Sequence, residues 1–215
     1  MKLGERIKDI IGARVLAKKF RNQKRSVAVC NIKHAQNIGV LYNATEYVSF
    51  EIIKEFTKKL IQNNSNVSIL GYVDSKKLID HYLYRKGFDF FSRNDLNWYY
   101  KPESSITEAF IKKPFDLLID LSLEPCYPVQ YIVALSPSTF KVGKFSPEEK
   151  YLDLMIDTDK ENEQMKKVYE EVVTGRKDDQ KLDEMEKEIE KKTRTELQLS
   201  FLINQIMHYL AILKK

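Results

Sequence analysis

FDLLIDLSLEPCYPVQYIVALSPSTFKV, residues 115–142, carries the reading that decides the fold. FDLLIDL, at 115–121, is a short and almost wholly apolar run, the pattern of a strand covered on both faces. Residues 129–134 then predict a helix, and Phe140–Val142 a second strand. A strand, a helix and a strand in such short order form a βαβ unit, which joins two parallel strands.

The same alternation continues on either side. Apolar runs predict further strands at Val27–Ile32, Ile38–Tyr42, Val67–Val73, Phe88–Phe91 and Leu152–Ile156. Between them, helices are predicted at Tyr47–Gln62, Ser75–Leu83 and Ile106–Lys112, with a closing amphipathic helix at Glu196–Leu213. The expected class is α/β: a Rossmann-like, mostly parallel sheet with helices on both faces.

Two segments stand outside that alternation. Leu3, Ile7, Ile10, Ile11, Val15, Leu16 and Phe20 recur at helical spacing with lysine and arginine between them, so residues 3–20 predict a basic amphipathic helix. Gly4 and Gly12 weaken it by about 1 kcal/mol each relative to alanine, so it needs the domain or a partner to pack on. Residues 157–196 mix charges of both signs around two thin apolar stripes broken at Thr174-Gly175, and read as an inserted charged helical hairpin. That hairpin is either a solvated excursion or an arm that docks a protein partner. The expected organisation is residues 1–25 as basic helix and turn, 26–156 plus 197–215 as the α/β domain, and 157–196 as the insertion.

Composition closes several routes. The seven glycines are never closer than eight residues apart, which excludes the glycine-rich loops that cradle dinucleotides or nucleoside triphosphates. The three histidines, His34, His81 and His208, are scattered, and the two cysteines make neither a disulfide framework nor a four-ligand zinc set. No catalytic group, cofactor or metal is expected. No apolar run reaches the roughly 20 residues of a membrane span, and charges interrupt any secretory signal, so a cytoplasmic chain is expected. In that setting the Asn43-Ala44-Thr45 and Asn66-Val67-Ser68 sequons are accidental. Charge itself is uneven. The first 34 residues hold ten basic and two acidic side chains, a net +8 within a chain of +5.

Candidate residues follow from both features. Ligands of an open α/β sheet bind beyond the carboxyl ends of the strands, where strand order reverses. The residues expected there are Asn43 and Thr45, Asp74 and Ser75, and Asp120, Ser122 and Glu124. Thr45, Asp74 and Ser75 also suit helix N-caps, and Asp120 suits a structural role within the sheet end. FDFFSRNDLNWYYKP, at 88–102, either closes one core edge or puts Trp98 beside the crevice as a stacking surface. Cys126 precedes a helix start with no histidine near in sequence, and reads as a buried thiol. In the basic head, Arg14, Lys18, Lys19, Arg21, Lys24 and Arg25 are placed to meet phosphates.

Two resemblances bear on this. Residues 115–145 are similar to the N-terminal half of heptosyltransferase-type glycosyltransferases, the matching positions being Asp116, Asp120 and Gly143. The half that binds the sugar nucleotide has no counterpart, which implies that the chain is not an active transferase. More of the chain resembles an uncharacterised family of short proteins from Bacteroidota. The matching segments are Ile38–Tyr42, Gly71–Asp74, Phe88–Phe91, Asp95–Trp98 and Asp120–Ser122, and this resemblance implies a fold but no activity. The function expected from the residues is a non-catalytic adaptor for structured RNA, most plausibly on the ribosome. The alternatives are an anionic membrane surface bound by the same helix, or a sugar or nucleotide held in the crevice. The sequence gives no basis for an oligomeric state.

Overall fold

The computed structural model describes residues 3–45, 47–63, 65–76, 87–147, 150–158 and 184–214. Among these, six strands form one all-parallel sheet: β1 (Asn37–Asn43), β2 (Asn66–Val73), β3 (Phe88–Ser92), β4 (Leu117–Asp120), β5 (Phe140–Lys144) and β6 (Leu154–Ile156). Their order is β3-β2-β1-β4-β5-β6. The chain winds outward from β1 to one edge, returns, and winds from β4 to the other, so order reverses between β1 and β4. Those two strands pair from Ile38↔Leu117 to Leu41↔Asp120.

Strand periodicity divides the core. Ile38, Val40 and Tyr42 of β1 and Leu117 and Ile119 of β4 point to one face, while Leu41 and Leu118 point to the other. The first face is covered by α2 (Tyr47–Gln62) and the last helix, α5 (Glu184–Ile212). Phe50, Ile53, Phe56 and Leu60 of α2 meet Leu199, Leu202, Ile206 and Leu210 of α5 over it. The second face is covered by α3 (Ser105–Lys112) and α4 (Tyr127–Leu135), through Phe110, Val129, Ile132 and Val133. Gly39 faces that side, where a Cβ would lie 2.7 Å from Leu118 and 2.9 Å from the Phe115 ring.

Helix α1 (Leu3–Arg21) adds an outer layer on α4. Leu16 packs against Tyr131 and Ala134, and Phe20 meets Tyr151 edge-on at 4.9 Å. At Gly12 the crossing is too close for a side chain: a Cβ would lie 2.6 Å from the Tyr127 hydroxyl and 2.9 Å from the Tyr99 carbonyl.

Two expectations are corrected. Residues 27–32 form no strand but an irregular strap. Four residues separate that run from β1, too few for a parallel crossover, and both edges of β1 are taken by β2 and β4. The strap is tied instead by Ala28 N–H to Thr139 O and Ile32 N–H to Leu210 O. Asn31 donates through its side-chain amide to Ala211 O and Leu213 O at the end of α5. The last helix begins at Glu184 rather than Glu196. Glu188 and Glu190 stand four residues before Lys192 and Arg194 in sequence, a spacing that favours helix without an apolar stripe. The rest of the expected hairpin, residues 159–183, lies outside the described residues, as does most of the helix expected at Ser75–Leu83.

Candidate functional site

Beyond the carboxyl ends of β1, β2, β4 and β5 the structure opens into two adjoining cavities. One, of about 350 Å³, is lined by Asp120, Ser122, Glu124, Gln130, Lys144 and Phe145, among others. The second, of about 420 Å³, is lined by Asn43, Thr45, Asp74 and Glu124, and by Lys191 and Arg194 of α5. Both are of the size that binds small molecules. They share Leu123 and Glu124, which form a wall between them. Six of the eight expected crevice residues therefore come together here.

Much of this polar set is committed to its own neighbours. The Thr45 hydroxyl donates to Asn43 Oδ1 (2.6 Å) and accepts from the Asp74 N–H (3.0 Å), tying the end of β1 to the end of β2. Asp74 accepts from Arg93 Nε (2.5 Å), Arg93 Nη2 (2.8 Å) and the Tyr72 hydroxyl (2.9 Å). The Arg93 hydrogen bonds hold the Asp74 carboxyl below its ordinary range, against the opposing effect of burial. The same fork pushes Arg93 up, and burial followed by the bond to Asp74 raises Tyr72. Asp120 is buried, and its Oδ1 accepts the Ser122 N–H at 2.9 Å.

Ser122 differs. Its residue is only 9% exposed, and its hydroxyl has no hydrogen-bond partner among the described residues. Leaving such a group unsatisfied costs about 1–3 kcal/mol. Lys144 reaches over the same cavity and donates to Leu123 O at 2.9 Å. Cys126 is the N-cap of α4 but makes no side-chain capping bond. Burial pushes its thiol up to about 12, although the Val129 backbone N–H beside it works the other way. It is a packing residue rather than a nucleophile.

Two expected crevice residues fall outside both cavities. Ser75 sits in a tight turn, where its N–H donates to Val73 O and its carbonyl accepts the Arg93 N–H. Trp98 belongs to a different part of the surface. Asn97 builds a compact turn there, its Oδ1 accepting the N–H groups of Tyr99 and Lys101, and Tyr100 takes the left-handed backbone conformation at φ 66°. This turn runs beside α1. The Tyr99 carbonyl faces Gly12, and Lys8 lies over the Tyr100 ring at 5.9 Å. Trp98 rests edge-on against Tyr99 at 5.1 Å and stays 58% exposed.

The basic head divides in two. Arg14, Lys18, Lys19, Arg21 and Lys24 are exposed. Arg25 is not available in the same way, because it pairs with Asp153 and its Nη1 donates to Ser138 O at 3.3 Å. Asp116, matched in the glycosyltransferase likeness, lies at the far end of the sheet and accepts the N–H groups of Gln36 and Asn37.

Among the residues missed from sequence are Lys144 and Phe145 of the first cavity and, in the second, Lys191 and Arg194. The signal for Lys191 and Arg194 was a polar face running on to Gln198 at helical spacing, legible only once α5 is known to extend back past residue 196. No group of three or more His, Cys, Asp or Glu is placed to hold a metal among the described residues, and no described helix is long and apolar enough to cross a membrane.

A family model matches residues 8–173, spanning β1 to β6, the switch point and most of α1. The chain belongs to DUF6913, a family of unknown function. Its match carries the sheet and the crevice but ends before α5 begins, so Lys191 and Arg194 lie outside it. No curated protein and no solved structure matches the chain.

Proposed function

We propose that this DUF6913 chain is a non-catalytic α/β adaptor that binds structured RNA through α1 and the turn after it, on the ribosome. The observation that carries the reading is the division of α1 into two opposite edges. Gly12, Leu16 and Phe20 hold the helix to the domain. Arg14, Lys18 and Arg21 follow the i, i+4, i+7 spacing on the other side and are exposed. A helix fixed by one edge presents those cations as a preset row about 10 Å long. Lys24 extends the row into the turn.

A preset row of cations suits a phosphate backbone, whose condensed counterions are released on contact. Trp98, exposed on the turn beside α1, adds a surface on which an unpaired base can stack. The membrane alternative is less favoured, because Phe20, one of the residues it would insert, is packed on Tyr151.

The test is filter binding of the full chain to ribosomal RNA fragments across a salt series. Contacts from Arg14, Lys18, Arg21 and Lys24 give a log–log salt slope of about −3 to −4. The variant R14E/K18E/R21E is expected to flatten that slope by about 3 and to leave the ribosomal fractions of a sucrose gradient. Unchanged slope and sedimentation would refute the reading.

A further inference from the structure

We propose that the paired cavities at the β1/β4 switch point form one binding site for a sugar phosphate, with its hydroxyls in the first cavity and its phosphate in the second. This is independent of RNA binding by α1 and stands on other residues.

The first cavity has the chemistry of a hydroxyl receptor. It is lined by two carboxylates, Asp120 and Glu124, against one ammonium, Lys144, and that ammonium already donates to a backbone carbonyl. Such a balance disfavours an anion and suits groups that donate O–H. The Ser122 hydroxyl is the decisive feature: it is nine-tenths buried, lines this cavity and has no protein partner among the described residues. A ring hydroxyl supplies that partner. Phe145, half-exposed on the rim, offers an apolar wall to the C–H face of a sugar ring.

The second cavity is less acidic, with two basic side chains against the carboxylates of Asp74 and Glu124. Lys191 and Arg194, one helical turn apart on α5, both line it. Of the carboxylates there, Asp74 is already met by Arg93 and the Tyr72 hydroxyl. Asp74 is therefore already balanced by its own cation, and the Arg194 guanidinium supplies positive charge for an anion there. The wall at Leu123 and Glu124 is common to both cavities, so a ligand crossing it touches both. A ring bearing a phosphate has hydroxyls for one side and charge for the other.

The test uses the full chain with glucose 6-phosphate, ribose 5-phosphate, glucose and inorganic phosphate as probes, followed by calorimetry and thermal melting. At least one of the two sugar phosphates is expected to bind with a Kd of about 1 mM or tighter, and at least tenfold tighter than glucose or phosphate alone. Arg194→Ala is expected to weaken the sugar phosphate about tenfold and to leave glucose unchanged. Ser122→Ala separates a binding role from a structural one. A hydroxyl without a protein partner gives nothing to the empty fold, so this variant is expected to melt at or above the temperature of the parent while its sugar-phosphate affinity falls about fivefold. No saturable binding of either sugar phosphate at about 10 mM would overturn the proposal. So would inorganic phosphate binding as tightly as the sugar phosphates, or affinities that neither Ser122→Ala nor Arg194→Ala changes.

Discussion

Replacing Leu16 by alanine is expected to release α1 while leaving the sheet intact. Leu16 is 1% exposed and sits in a small cluster with Tyr131 and Ala134, apart from the two clusters that cover the sheet faces. Truncating a buried leucine costs about 2–5 kcal/mol, and a site at an interface that can relax falls at the low end, about 2–3 kcal/mol. That sum is large for α1, which carries two glycines and is not stable as a helix alone. It falls on a local opening rather than on global unfolding. At about 1.4 kcal/mol per factor of ten, hydrogen exchange across residues 3–21 is expected to quicken about 30- to 150-fold. Exchange in β1 and β4 is expected to stay unchanged. The assay is exchange followed by mass spectrometry, peptide by peptide. Equal loss of protection in α1 and the sheet would show one cooperative unit, and no change in α1 would show that Leu16 does not hold it; either result refutes the reasoning.

Other perturbations test other parts. Arg25→Ala removes the cation facing Asp153, whose other oxygen accepts the Lys141 N–H at 2.8 Å. A loss of about 1–3 kcal/mol, or about 3–8 °C in melting temperature, is expected, and a change below about 1 °C would count against a structural role. Asp74 is held below its ordinary range by Arg93, so its stabilising contribution is complete above about pH 4 and is lost as pH falls through the lowered value. Melting curves of parent and Arg93→Ala are therefore expected to converge toward low pH, and parallel curves would contradict the assignment. Cys126, with its thiol pushed up to about 12, is expected to resist alkylation at about pH 8 until the protein unfolds. Rapid native labelling of Cys126 would refute that burial.

The sheet was legible because each strand is an apolar run between polar breaks, and because sheet-end chemistry follows from strand ends alone. Asn43, Thr45, Asp74, Asp120, Ser122 and Glu124 were placed that way, before strand order was known. Apolarity misled at residues 27–32, where Val27 and Val29 stay exposed on a strap that cannot join β1, whose two edges are taken. Sequence adjacency misled at Trp98 and Arg25. Trp98 lies six residues past β3, yet the Asn97 turn carries it to the side of α1. Arg25 reads as one more phosphate contact until Asp153, 128 residues later, is seen beside it.

The two proposed surfaces share one element, and its fixing predicts that they act independently. α4 begins at the wall of the first cavity and carries α1 on its outer side. A ligand could influence α1 through it only by shifting the helix. Its far end is tied in two ways: the buried Lys141 ammonium donates to Val133 O at 2.5 Å, and the Gln23 amide donates to Leu135 O at 2.7 Å. Packed elements of this kind change between discrete arrangements rather than bend by degrees, and nothing at the first cavity loosens those two ties. Saturating glucose 6-phosphate is therefore expected to leave RNA affinity within about twofold. Linkage requires the reciprocal result, that RNA leaves sugar-phosphate affinity unchanged. A coupling of tenfold in either direction would mean that α4 moves, and would place the Lys141 tie at the centre of the change.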